Sequence, residues 1–157
     1  MLNNGGGTWH ATSQVCSGPV PSCAAPKLQN RYISGVRIDA GNTDHAYLSL
    51  SGYSRKWMIG PDDPGKGHVF ETSNGGSAWA DVSGNLPDVP MDDIVFERGN
   101  LVVATDFGVF MSSDNGLSWS RLGTNLPNVV VDQLTLDPKG ELVAAAHGRG
   151  VWTIAAP

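Results

Sequence analysis

The feature that most constrains this chain is its similarity to itself. Ser112-x-Asp114-x-Gly116-x-x-Trp119 recurs as Thr72-x-Asn74-x-Gly76-x-x-Trp79, 40 residues earlier (119 − 79), and more loosely as Asn4-x-Gly6-x-x-Trp9. The same shift lays Phe70 on Phe110, Asn85-Leu86-Pro87 on Asn125-Leu126-Pro127, Asp92 on Asp132 and Ile94 on Leu134. Slight slippage then aligns Leu101-Val102 with Leu142-Val143, and Gly108-Val109-Phe110 with Gly150-Val151-Trp152. A chain that repeats at such an interval is built from supersecondary units, none of which buries its apolar face without a neighbour.

Short alternating runs separated by turn residues identify the unit as a four-stranded antiparallel blade, and the fold class as an all-β propeller. Strand a reads Ile33 to Asp39, Asp92 to Glu97 and Val131 to Asp137, with apolar residues alternating at Val36 and Ile38, Ile94 and Phe96, Leu134 and Leu136. Strand b covers 46–51, 101–105 and 142–146, and strand c covers 68–72, 109–113 and 151–154. Strand d covers 79–82 and 119–122, with 8–12 of the same character. The whole chain is therefore one propeller segment: a lone strand d at 8–12, blades at 33–82 and 92–122, and strands a to c at 131–154.

Bulk composition narrows the function classes. Glycine at 20 residues and proline at 10 suit many tight turns, and a formal charge of −5 argues against a protein that holds phosphate backbones through clustered Lys and Arg. No run approaches the length needed to insert in a bilayer, so neither nucleic acid nor membrane is an expected partner. No leader is visible. Cys16 and Cys23, close together in a Pro/Ser/Ala-rich stretch, are read as a local disulfide of an exported protein, with two free thiols as the alternative. Neither a metal site nor a cofactor is expected.

The recurring phrase is turn chemistry. Asp114 and Asn74 are suited to accept from backbone N–H groups, Gly116 and Gly76 to take positive φ, Ser112 and Thr72 to brace the loop, and Trp119 and Trp79 to pack between blades. On these residues, on the Asn-Leu-Pro segments and on the terminal His147-Gly148-Arg149-Gly150-Val151-Trp152, the chain resembles the Asp-box, or bacterial neuraminidase repeat, propellers. That family includes sialidases, xyloglucan-active glycoside hydrolases, sortilin-type receptor ectodomains and a photosystem assembly factor. The first copy departs from the pattern, with Leu2 where Ser or Thr is expected. The resemblance implies a fold more firmly than an activity.

The pieces sum to three blade equivalents, whereas propellers close with about four to eight. Either the chain is part of a longer propeller, or identical chains share a ring. A homodimer would make six blades, with Thr8 to Thr12 pairing beside Val151 to Ile154 of its neighbour by strand exchange.

Connections from d to a and from b to c leave one face of such a fold, and both long insertions, 13–31 and 52–67, fall there. Loops enlarged on a rigid scaffold tend to carry binding. Tyr53 and Trp57 are candidates to stack on a sugar or dock a protein, Arg55 to hold an anion, and His147 and Arg149 to contribute from a neighbouring turn. Asp92, Asp106 and Asp132 should reach the same face, and Asp106 resembles an acidic position in the xyloglucan-active members. A hydrolase needs two such carboxylates about 5 to 9.5 Å apart. The expected function is a non-catalytic module that binds carbohydrate or protein on this face, with a glycoside hydrolase as the alternative.

Overall fold

The computed structural model describes residues 28, 31–54 and 67–157. Expectations for Asn4, Gly6, Trp9, Cys16, Cys23, Arg55 and Trp57 therefore lie outside the described residues. The described residues form three antiparallel sheets of eleven strands. The first contains β1 (Ile33–Asp39), β2 (Asn42–Leu50), β3 (Val69–Thr72) and β4 (Ala80–Asp81), hydrogen-bonded in that order. The second repeats the order with β5 (Met91–Glu97), β6 (Asn100–Thr105), β7 (Gly108–Ser112) and β8 (Ser120–Arg121). The third holds β9 (Val131–Leu136), β10 (Glu141–Ala146) and β11 (Gly150–Ala155), with β11 at its edge. Strands β1, β5 and β9 lie side by side across the three sheets, so the blades stack face to face around their innermost strands.

Alternation along the strands creates the two seams between blades. Ile94, Leu101, Val103 and Trp119 of the second blade bury against Tyr47 and Val69 of the first. The opposite face, with Val95, Val102, Ala104 and Val109, buries against Val131, Leu134, Leu142 and Ala144 of the third. Polar bonds stitch the same seams. Asp93 receives Arg37 from the first blade at 3.0 Å and accepts the Leu134 backbone N–H of the third at 3.0 Å. Beside the first seam, both ring nitrogens of His45 meet carboxylates, Asp39 at 3.1 Å and Glu71 at 2.7 Å. Burial pulls the imidazole pKa down, but the two acids together hold it above its ordinary value.

Val36 and Ile38 are apolar residues that the described fold leaves in water. They occupy the face of β1 equivalent to Ile94 and Phe96 of β5, yet they are 49% and 62% exposed. The alternation is the expected one, but among the described residues no blade lies in front of the first. At the other end of the arc, Val151 is 71% exposed for the corresponding reason.

The recurring phrase folds as turn chemistry. In the second blade the Ser112 hydroxyl donates to Asp114 at 2.7 Å and accepts the Gly116 N–H at 2.8 Å, while Asp114 accepts the Ser118 N–H at 2.9 Å. Thr72, Asn74, Gly76 and Ala78 repeat these contacts. The Ser118 hydroxyl and N–H, with Ser112, hold the Asp114 carboxyl at about 2. The turn also seats one blade on another. The Trp119 N–H donates to Asn85 Oδ1 at 2.6 Å, the Asn85 amide returns a bond to the Trp119 carbonyl at 3.1 Å, and the indole N–H donates to the Val82 carbonyl at 3.1 Å.

Gly116, at φ 82°, lies so close to this surface that a Cβ would stand 2.1 Å from the Val82 carbonyl oxygen. Gly140 has the same backbone sign, φ 83°, with nothing within 4 Å. Gly140→Ala should therefore cost only the backbone strain, about 1 kcal/mol, whereas Gly116→Ala should cost more than about 2 kcal/mol because the seam must open. Urea unfolding followed by tryptophan fluorescence measures the difference; equal costs would show that the contact between blades is not what requires this glycine.

Candidate functional site

A backbone irregularity recurs at the same end of each innermost strand, with a second one in β1 between Ile38 and Asp39. Register shifts fall at Ser34 in β1, at Asp92 in β5 and at Asp132 in β9, so each of these residues bulges out of its ladder. A bulge inserts an unpaired residue and re-aims its side chain. Pairing of Met91 with Thr105 brings the end of β6 to the same place, and the turn there is set by Thr105, whose hydroxyl accepts the Phe107 N–H at 3.0 Å and donates to the Gly108 carbonyl at 2.9 Å. Asp106 sits on that turn. Three aspartates from two blades thus come within electrostatic reach of one another.

Their environments differ. Burial, then the negative charges of Asp106 and Asp132, push the Asp92 carboxyl up to about 7, and its Oδ2 is buried with no hydrogen-bond partner. Asp106 is raised as well, by burial and then by Asp132. Asp132 lies in the open and faces the His147 ring at 3.4 Å, with both side chains well exposed. Arg149 is exposed, and its carbonyl accepts the Trp152 indole N–H at 3.0 Å. Among the described residues, no three His, Cys, Asp or Glu side chains converge closely enough to hold a metal ion.

Exposed aromatic side chains lie at the same end of the strands. Tyr32, just before β1, is 75% exposed; Phe107, beside Asp106, is 47% exposed; Tyr53, after β2, is 36% exposed. Of the binding candidates, the described structure thus holds Tyr53, His147 and Arg149 on turns at this end.

A buried network beneath the first blade was not legible in the sequence. The Arg31 guanidinium donates to the backbone carbonyls of Gly67 at 2.7 Å, Gly52 at 2.5 Å and Ser51 at 3.2 Å, and lies 2.8 Å from His68 Nδ1. A ring nitrogen facing a guanidinium must accept, so His68 carries its proton on Nε2, which donates to Asp88 at 3.1 Å. Burial and Arg31 both hold the His68 pKa down. Burial opposes ionisation of Asp88, but bonds from Ser54 and His68 outweigh it and lower its pKa. This network ties together the two ends of the 52–67 insertion. Its partners are mostly carbonyls, which leave no mark in a sequence; a lone Arg before strand a was the only available signal.

No protein-family model matches the chain, and no curated protein sequence does. Solved structures are similar in fold. An ancestral GH74 enzyme matches at 23% identity and TM-score 0.54 over 75% of this chain and 17% of its own. YCF48 from Cyanidioschyzon merolae matches at 16% and 0.57 over 83% and 36%, and the GH74 xyloglucanase from Xanthomonas campestris at 12% and 0.56 over 82% and 22%. A YCF48 structure bound to D1 peptide matches at 19% and 0.53 over 82% and 37%. The chain has the propeller fold of these proteins and spans roughly a sixth to a third of their length.

The Asp92 shift gives a signed prediction. With a folded value of about 7 against an ordinary 3.8, the folded state retains a proton that the unfolded chain releases. Stability should fall as pH rises from about 4 to 7 and then level off. Asp92→Asn, which cannot ionise, should therefore stabilise the protein more at pH 8 than at pH 4. Thermal melts of both proteins across that range test it; a pH-independent difference would place Asp92 in an ordinary solvated setting.

Proposed function

We propose that this chain is an Asp-box propeller segment that acts as a binding module, engaging a segment of another protein at the end of the blades where Asp92, Asp106 and Asp132 gather. One observation carries the reading: the crowded aspartates at the bulges lie at the same end of the strands as the exposed rings of Tyr32, Tyr53 and Phe107. Aromatic rings that remain in water offer apolar area at low entropic cost, and crowded carboxylates gain from a cation that relieves their mutual repulsion. A Lys- or Arg-bearing peptide with apolar neighbours meets both requirements. The likeness to YCF48, a structure of which is bound to a D1 peptide, supports a peptide ligand.

A second reading, glycoside hydrolysis, is supported by the Asp92 carboxyl near 7 beside other carboxylates, because a hydrolase needs one acid that keeps its proton and another group that has lost it. The likeness to GH74 enzymes is compatible with it. The exposure of Asp132 and its contact with His147 favour a docking surface over a water-excluding cleft.

Peptide arrays screened with the labelled protein, followed by titration, separate the readings. Basic, aromatic-rich peptides should be selected, and Phe107→Ala and Asp106→Asn should each weaken them about tenfold or more. Binding should also weaken below pH 7 as Asp92 takes up its proton. Hydrolysis of xyloglucan that Asp92→Asn abolishes would establish the enzyme instead; glycan binding without hydrolysis would move the ligand class to carbohydrate.

A further inference from the structure

The two ends of the arc hold complementary halves of one contact. Between the second and third blades, an open groove is lined by Leu122, Asn125 and Leu126 on one side and Leu142, Trp152 and Ile154 on the other. The 40-residue shift maps Leu122, Asn125 and Leu126 onto Val82, Asn85 and Leu86, the surface that receives Trp119 one seam earlier. Trp152 maps onto Phe110, which packs in the cluster around Trp119. The groove is therefore a tryptophan seat with an amide clasp, bordered by β11, whose outer edge no described strand pairs. At the opposite end, the Trp79 indole N–H is buried and has no partner, although its counterpart in Trp119 donates to the carbonyl of the preceding blade. Among the described residues, one end lacks a tryptophan and the other lacks an acceptor.

We propose that the groove is filled by the Thr8 to Thr12 strand of a second copy of this chain, with Trp9 in the seat. The phrase Asn4-x-Gly6-x-x-Trp9 carries the residue types that precede Trp119 and Trp79. Equivalence with the pairing of Phe110 to Arg121 and Met111 to Ser120 puts Ala11 opposite Trp152 and His10 opposite Thr153. Asn125 then clasps the Trp9 backbone as Asn85 clasps that of Trp119.

Connectivity assigns the strand to a blade other than the three described. In this fold a strand d is followed by the innermost strand of the next blade, as β4 is by β5 and β8 by β9. A strand d that precedes β1 thus belongs to the blade lying against Val36 and Ile38. Those residues and Val151 are all exposed, so the first and third blades of one chain do not face each other. The third blade of a partner meets the requirement. The arrangement covers Val36, Ile38 and Val151 in both copies and brings the Thr12 carbonyl of each chain to its own Trp79. This contact is separate from the peptide-binding face and does not rest on it.

Sedimentation velocity of the full chain tests the exchange. A dimer is expected, and Trp9→Ala and Asn125→Ala should each raise its dissociation constant at least about tenfold, as removal of a buried aromatic anchor or its clasp does. A dye-labelled peptide spanning residues 4–13 should bind the full-length Trp9→Ala variant, read by anisotropy, and should fail to bind the Trp9→Ala, Asn125→Ala double variant. A wild-type monomer, a dimer indifferent to both substitutions, or a peptide that ignores Asn125 would each overturn the proposal. Cooperative melting of the single variants guards against loss of fold.

Discussion

The structure depends on how closely one blade can sit on the next. Each sheet alone presents two apolar faces to water, and only stacking buries them, so the contact between blades matters more than any bond within one. In the first seam that contact is fixed at its outer end by a residue without a side chain. Gly116 lets the hairpin lie flush on Val82, and this places the Trp119 ring over Val69 and Val89 and its backbone in the Asn85 clasp. Nearer the axis, Asp93 holds all three blades through Arg37 and the Leu134 N–H. Hydrophobic area supplies the drive; these polar contacts fix the register.

The candidate site lies where the same regularity is broken. The ladders are even along most of their length, but each innermost strand bulges near its start, at Ser34, Asp92 and Asp132. A bulge frees a residue from pairing, and the two that carry carboxylates gather near Asp106. Burial there, reinforced by the negative charges of Asp106 and Asp132, raises the Asp92 pKa to about 7. The Arg31, His68 and Asp88 network ties together both ends of the long insertion.

Much of the strand pattern was legible because it repeats. The runs around Ile94 and Leu134 sit at equivalent places in β5 and β9, and the phrase residues make the bonds that their chemistry suggests. Two features were less legible. Val36 and Ile38 alternate as expected but face water, because burial depends on a neighbour that local sequence does not specify. Asp92 and Asp132 were visible as repeated acids, yet repetition by itself would generate that pattern, and only the bulges distinguish them from ordinary turn residues. The Arg31 network was invisible, since backbone carbonyls accept from any side chain that reaches them.

The unit is written into the amino-acid order: its period, its alternation, its turn residues and the tryptophan that each complete unit carries. Those properties are local, set by side-chain chemistry over a few positions. Tertiary structure alone decided which faces are covered, which carboxylate keeps its proton and where a seat for a tryptophan stands open. These depend on distances between residues far apart in the chain, and a periodic code, in which every copy reads alike, cannot say which copy lacks a neighbour.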